Sequence, residues 1–296
     1  MNGILNILKP TGMTSHDVVA MIRRRFSIKK AGHTGTLDPN AAGVLPICVG
    51  KATKLSQYIM EKDKSYRVEM IFGKATDSLD SYGNVISEEE ASLAPKVISA
   101  EDLWPFIGEI EQIPPLYSAV KVGGVKLYQS ARRGKEVQEI PSRRVRIDRI
   151  DILDYHYPKL RMDVHCSKGT YIRSLVRDIG THFGHLTYMS LLIRTRSGQF
   201  TLADAVSFDE LEKDGVEAHL IPMREIEFSM EDHIIRSTAE KAYLNGCKIS
   251  AKGAVTKIAP PCRKVRVFSQ SGVFYGIGEI LSEEEGCFLK SDTLLI

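Results

Sequence analysis

The sequence predicts a mixed α/β (α+β) domain followed by a small β-rich one, and three observations carry that expectation. The chain has 296 residues of which 43% are hydrophobic, enough to build one large core and a second small one. Helical and strand periodicities alternate over roughly its first two hundred residues. The last sixty or so read as short strands.

The elements follow in order. His16 to about Phe26 is helical, with Ser15 as N-cap and Val18, Val19, Ile22 and Phe26 on one face. Its end carries Arg23, Arg24 and Arg25, which suit the helix dipole and equally suit a phosphate. Tyr66–Phe72 reads as a strand, Ala100–Ile107 as a helix, and Val145–Ile152 and Leu160–Cys166 as strands with alternating apolar positions. Thr170–Phe183 is the best-defined helix, apolar at Ile172, Leu175, Val176, Ile179 and Phe183, with Gly184 as terminator. Residues 201–235 carry a helix over the core. Strands at Lys264–Phe268 and Val273–Ile280 follow, so the expected domains are 1–232 and 233–296.

Within the first domain, Gln112 to Val137 reads as a long excursion, residues 112–137, containing Pro114-Pro115, Gly123-Gly124 and Gly134. Lys121, Lys126, Arg132, Arg133 and Lys135 are interleaved there with Tyr117, Leu127 and Tyr128. Such a loop suits single-stranded RNA, whose phosphates meet the cations and whose bases stack on the rings. Tyrosines beside prolines also serve simply to pin a loop to its own core.

The net charge of +3 conceals blocks of opposite sign: +7 over residues 1–75, −8 over 76–113, +6 over 114–150 and −8 over 201–235. A positive face and a negative back fit a partner with phosphates along one side, although ordinary solvated charge gives the same pattern. No apolar run approaches the ~20 residues of a membrane span, and Ile4 to Leu8 stops at Lys9-Pro10, too early for a signal peptide. A cytoplasmic protein with five reduced cysteines is expected, because their number is odd and no Cys-x-x-Cys occurs.

Several chemistries fail on spacing. Gly43 to Gly50 has six intervening residues where a phosphate loop needs four, and Ala52 stands where Ser or Thr should. Pro261-Cys262 has neither the second Cys nor the His-x-Glu of zinc deaminases. There is no His-Glu-x-x-His and no Gly-x-Gly-x-x-Gly, so neither a metal nor a redox cofactor is expected.

One segment stands apart, Ala31 to Lys54, AGHTGTLDPNAAGVLPICVGKATK. Asp38 is the only carboxylate among the 43 residues from Val18 to Met60. Asp38-Pro39 also fits an N-cap and N1 pair opening a short helix.

This segment resembles the heart of the TruB-type tRNA pseudouridine synthases, in which Gly-His-Thr-Gly-x-Leu-Asp-Pro precedes Gly-x-Leu-Pro and Gly-x-Ala-Thr-Lys. The resemblance extends to Lys9-Pro10-Thr11-Gly12-Met13-Thr14-Ser15, Lys64-Ser65-Tyr66-Arg67-Val68, Ile113-Pro114-Pro115-Leu116-Tyr117-Ser118-Ala119 and Cys166-Ser167-Lys168-Gly169-Thr170-Tyr171-Ile172-Arg173. It implies a mainly antiparallel central sheet flanked by helices, with a tail similar to a PUA-type RNA-binding domain. It further implies isomerisation of uridine 55 in the T-loop of tRNA to pseudouridine, by a monomer acting on the T-arm with no cofactor. Asp38 is then the nucleophile toward a flipped-out uridine, Arg173 the cation that keeps it ionised, and Tyr66 the ring that stacks on uracil and moves a proton. His33 helps hold the target nucleotide out of the stack and Leu192 lines the uracil pocket. Tyr171, Lys121, Arg132 and Arg133 are assigned to substrate binding, while Lys9 and Pro10 support the active-site loop from behind. Arg173 agrees on independent grounds: with Thr170 as N-cap it occupies N3, where a cation opposes the helix dipole by ~0.3–1 kcal/mol unless an anion compensates. One departure stands out, Leu192-Ile193-Arg194-Thr195 where the family usually has Leu-Arg-Arg-Thr.

Overall fold

The computed structural model describes every residue except 91–94, 128, 130–139 and 260–262. β1 (Gly3–Lys9) buries every residue but Leu8 and leads into α1 (Ser15–Arg25). The N-cap of α1 is Thr14 rather than Ser15: the Asp17 N–H donates to the Thr14 hydroxyl and the Thr14 N–H to the Asp17 carboxylate, a reciprocal capping box. Ser15 is thereby left for a different contact.

β2 (Ala31–His33) and β3 (Ala42–Val49) flank the loop that carries Asp38. α2 (Ser56–Met60) turns the chain into β4 (Lys64–Phe72), and β5 (Lys74–Thr76) pairs with β6 (Val85–Glu88). Where the spacing predicts an α-helix over Ala100–Ile107, the chain forms a 3₁₀ helix at Glu101–Phe106. Pro105 lies inside it, lacks an N–H and opposes a continuous α-helical ladder. Then come β7 (Gly108–Gln112), a short hairpin of β8 (Lys121–Val122) and β9 (Val125–Lys126), and the long β10 (Arg143–His156) and β11 (Lys159–Cys166). α3 (Ile172–His182) follows, with β12 (Thr187–Ser197), β13 (Phe200–Thr201) and α4 (Phe208–Asp214). The remainder is β14 (Asp232–Ile235), α5 (Ser237–Leu244), β15 (Ile249–Ser250), β16 (Lys264–Ser269), β17 (Phe274–Glu283) and β18 (Gly286–Leu294).

The central sheet runs β1-β3-β12-β4-β11-β10-β7, with β2 on β3 and β13 on β12. Every pairing is antiparallel except β12 with β3, where Ile193 meets Ala42 and Arg194 meets Gly43. Gly43 has φ +109°, and a Cβ there would sit 2.2 Å from the Arg194 carbonyl oxygen, so only glycine allows this close approach. On one face of the sheet α3 buries Ile172, Leu175, Val176 and Ile179 against Val68, Met70, Met162 and Val164. That packing delivers the N-terminus of α3 to the seam where β12 changes partner direction.

A second sheet, β14-β16-β17-β18-β15, forms the β-rich C-terminal region. Its core includes Tyr243, Val265, Val267 and Leu289. Phe274, Ile277 and Leu295, however, pack with Ile4, Cys48, Leu55 and Ile59 of the first region in one buried cluster. Among the described residues no helix is long and apolar enough to cross a membrane.

Candidate active site

The loop between β2 and β3 is held by side chains that reach its backbone. Lys9, fully buried, donates from Nζ to the carbonyls of Pro10 (2.7 Å), Pro39 (3.0 Å) and Ala41 (2.7 Å). Burial lowers its pKa to about 8, with the charge of Asp38 acting in the opposite direction. The Ser15 hydroxyl accepts from the Leu37 N–H (2.8 Å) and donates to the Leu37 carbonyl (3.1 Å). Arg194, 2% exposed, reaches over from β12 and donates to the carbonyls of Val44 (2.7 Å), Thr36 (3.3 Å) and Gly35 (3.3 Å). Asp38 caps no helix, since a turn at Pro39-Asn40 leads directly into β3.

Arg173 meets this loop from α3. Its N-cap is Tyr171, so Arg173 stands at N2 rather than N3, while the Thr170 hydroxyl turns back to the Ser167 carbonyl (3.0 Å). The guanidinium is nearly buried, and Nε lies 3.0 Å from Asp38 Oδ2. Its other nitrogens donate to the carbonyls of Ser78 and Tyr117, each at 3.0 Å, and Nη1 lies 3.8 Å from Asp80 Oδ2. A cation at a helix N-terminus is unfavourable alone; two carboxylates compensate it here.

Asp80 was not legible as a site residue in the sequence, because it is one acid within the −8 block. Its Oδ1 accepts from the Ser78 hydroxyl (2.6 Å) and the Tyr82 N–H (3.1 Å), leaving Oδ2 toward Arg173. A carboxylate so engaged as an acceptor anchors Arg173. Its setting is a tight Asp77-Ser78-Leu79-Asp80 turn in which non-glycine Leu79 takes φ +63°, a conformation that no residue of the sequence signals.

Asp38, Arg173, Tyr66, His33, Leu192 and Tyr171 all line one cleft of about 1180 Å³. Tyr66 lies on β4 opposite Arg194 of β12 and Val164 of β11. Burial raises the pKa of its phenol, and the adjacent Arg194 guanidinium only partly opposes this. His33, on β2, accepts the Gly35 N–H at Nδ1 (3.3 Å), and burial, with help from His16 and Arg194, lowers its pKa. Leu192 is 6% exposed. Tyr171 donates its backbone N–H to Gln112 Oε1 (2.8 Å). Ile193 is absent from the cleft wall, to which its neighbours Leu192 and Arg194 both contribute. An arginine in its place would point to the opposite face of the strand.

Lys121 is exposed on β8 and does not line the cleft. Arg132 and Arg133 lie outside the described residues. Arg143, Arg144 and Lys168, which motif and spacing did not single out as binding residues, border the cleft instead.

Comparison with known proteins places the chain in a family. The profile of the TruB family pseudouridylate synthase (N terminal domain) matches residues 23–172. A tRNA pseudouridine synthase B from Alkaliphilus oremlandii is 45% identical over 96% of this chain and 95% of its own. One from Clostridium perfringens is 42% identical over 100% and 99%. The solved structure described as a Cbf5-Nop10-Gar1 complex superposes with TM-score 0.73 at 26% identity, covering 99% of this chain and 85% of that one. By profile, full-length likeness and fold, the chain belongs to the TruB family of pseudouridylate synthases.

Proposed function

We propose that the protein converts uridine 55 in the T-loop of tRNA to pseudouridine, with Asp38 as nucleophile toward a flipped-out uridine. The observation that carries this reading is the Asp38–Arg173 ion pair at 3.0 Å, bordering a cleft whose other walls are Tyr66, Leu192 and His33. Close relatives named tRNA pseudouridine synthase B support the substrate.

The isomerisation breaks the bond from C1′ to N1 and makes one from C1′ to C5. The C5 proton leaves to solvent and N1 takes one up, so no electrons are exchanged with a cofactor. A carboxylate that adds covalently to C1′ or C6 divides this into easier steps. Arg173 pairs with the Asp38 carboxylate, and the Asp80 carboxylate with two carbonyls fixes the guanidinium so that it offers Nε to Asp38. A phenol is neutral at pH 7 and burial raises the Tyr66 pKa further, so a proton passing through it uses the hydroxyl rather than a phenolate. Leu192 supplies an apolar wall to uracil. Tyr171 holds the RNA at the cleft, and Lys121, outside the cleft, takes up its phosphates with Arg132 and Arg133.

We further propose the division into residues 1–232, which carry the chemistry, and 233–296, which add RNA affinity, with residues 112–137 gripping the T-arm. A hydrolase using Asp38 and Asp80 as an acid pair is disfavoured, because Asp80 is occupied as an acceptor. Incubation with tRNA carrying tritium at uridine C5 discriminates these readings. Release of one tritium from the site of uridine 55, with the strand intact, is expected. Free uracil, or release from a different site, contradicts the proposal.

A further inference from the structure

The cleft is larger than the ~300–1,000 Å³ pockets that enclose small ligands, so it has room beyond a single base. On its lip stands Tyr82, a large ring that is 66% exposed. The backbone beneath it is fixed from several directions. Asp80 Oδ1 accepts the Tyr82 N–H, the Ser81 N–H donates to the Met189 carbonyl (3.0 Å), and the Met189 N–H donates to the Leu79 carbonyl (3.0 Å). On the far side Asp77 accepts the Asn84 N–H (2.9 Å), and a Cβ at Gly83 would lie 2.3 Å from that same carboxylate oxygen. The turn is therefore rigid while the ring it carries is unpacked. Bordering the same cleft are Arg143, Arg144 and Lys168. Arg143 forms no ion pair among the described residues, whereas Arg144 faces Glu109 at 3.7 Å and Lys168 pairs with Glu61. An exposed aromatic ring and a cationic rim on one cleft form the pairing that single-stranded nucleic acid uses, with stacking on the ring and phosphates on the cations.

Resting on the function proposed above, we propose that Tyr82 is a stacking platform for a nucleotide adjacent to the flipped uridine, positioning the RNA loop for the reaction. The ring acts on the substrate directly, and the same Asp80 carboxylate that anchors Arg173 holds its backbone. Contact with the neighbouring base is thus made on a turn shared with the nucleophile's cation partner.

The test is a binding cycle with a fluorescein-labelled T-arm stem-loop, using wild type, Tyr82→Ala and Tyr82→Phe. The RNAs are the intact loop and loops made abasic at the nucleotide on either side of the target. Tyr82→Ala is expected to bind the intact loop ~5- to 160-fold more weakly, the range of one lost base–aromatic stack. Tyr82→Phe, which keeps the ring, recovers most of that loss. On one of the two abasic loops the difference between wild type and Tyr82→Ala disappears. A penalty that persists undiminished on both abasic loops, or its absence on the intact loop, overturns the inference. Conversion of the intact loop by wild type, measured alongside, separates this from failure of the underlying function: if wild type makes no pseudouridine, both readings fall together.

Discussion

Arg173 is 5% exposed and its guanidinium is shared among Asp38, Asp80 and two carbonyls. Stranding a buried charge costs ~3–5 kcal/mol, but Asp38→Asn leaves Asp80 in place and an amide oxygen near Nε. Tyr66 offers a sharper division of roles. Tyr66→Phe keeps the ring and removes the hydroxyl, so stem-loop binding is expected to stay within a few-fold. Single-turnover conversion should fall by ~10²–10⁴, the usual worth of a positioned proton-transfer group. Equal loss of binding and rate would make the hydroxyl a binding group. His33 provides a pH prediction. Its folded pKa is depressed, so below its ordinary value of 6.5 the unfolded chain binds the extra proton first. Stability from this group is therefore complete above pH 6.5 and declines as the pH falls through the folded value. Protonation at Nδ1 also ends its acceptance of the Gly35 N–H. An NMR titration should show His33 with a midpoint below 6.5; a midpoint at or above it contradicts the burial argument.

At the scale of elements, α3 was the most legible, because its apolar positions, its Gly184 terminator and the cation near its start are all local signals. Its cap was not: Thr170 looks like an N-cap, yet its hydroxyl is committed to Ser167, and helix geometry begins one residue later. The same holds at α1, where Thr14 and Asp17 cap and Ser15 braces the Asp38 loop. Lys9 was legible as a support through its place in the Lys9-Pro10 motif. The mode of that support, bonds to backbone carbonyls, has no side-chain signature in the sequence, and for that reason Arg194, though part of the Leu192–Thr195 motif, carried no expected role. The strands after residue 232 read correctly as strands, but their attachment did not show. Phe274, Ile277 and Leu295 share a core with β1, β3 and α2, and Arg266 Nη2 donates to the Arg224 carbonyl (2.9 Å). At ~1.5–3 kcal/mol for each large apolar side chain, uncovering that seam removes a large part of a domain's ~5–15 kcal/mol stability. The full chain should accordingly unfold in a single transition, and a chain ending at Met230 should melt at markedly lower temperature. Two separate transitions, or an unchanged midpoint on truncation, would show the regions to be independent.

Across the whole molecule, one cleft gathers the cations Arg143, Arg144, Lys168 and Arg173 together with the carboxylates Asp38, Glu61, Asp77 and Asp80. Asp38 stands out in the sequence as the one carboxylate of a basic stretch, but its role and that of Arg173 were legible only through the resemblance to the TruB-type synthases, with which the cost of a cation near a helix start agrees. The sequence could not join them to Asp80, since that contact depends on a turn bolted to β12, far away in the chain. The absence of metal and cofactor motifs from the sequence predicts turnover in EDTA without added nucleotide; activity lost in EDTA and restored by zinc would contradict it. The central claim, that the Asp38 carboxylate attacks the nucleoside, is tested most directly by single-turnover conversion of a T-arm stem-loop by Asp38→Asn, with circular dichroism and binding as controls. The account predicts native ellipticity, retained binding and pseudouridine at background. Conversion at the wild-type rate by the folded variant would contradict it and require a different nucleophile.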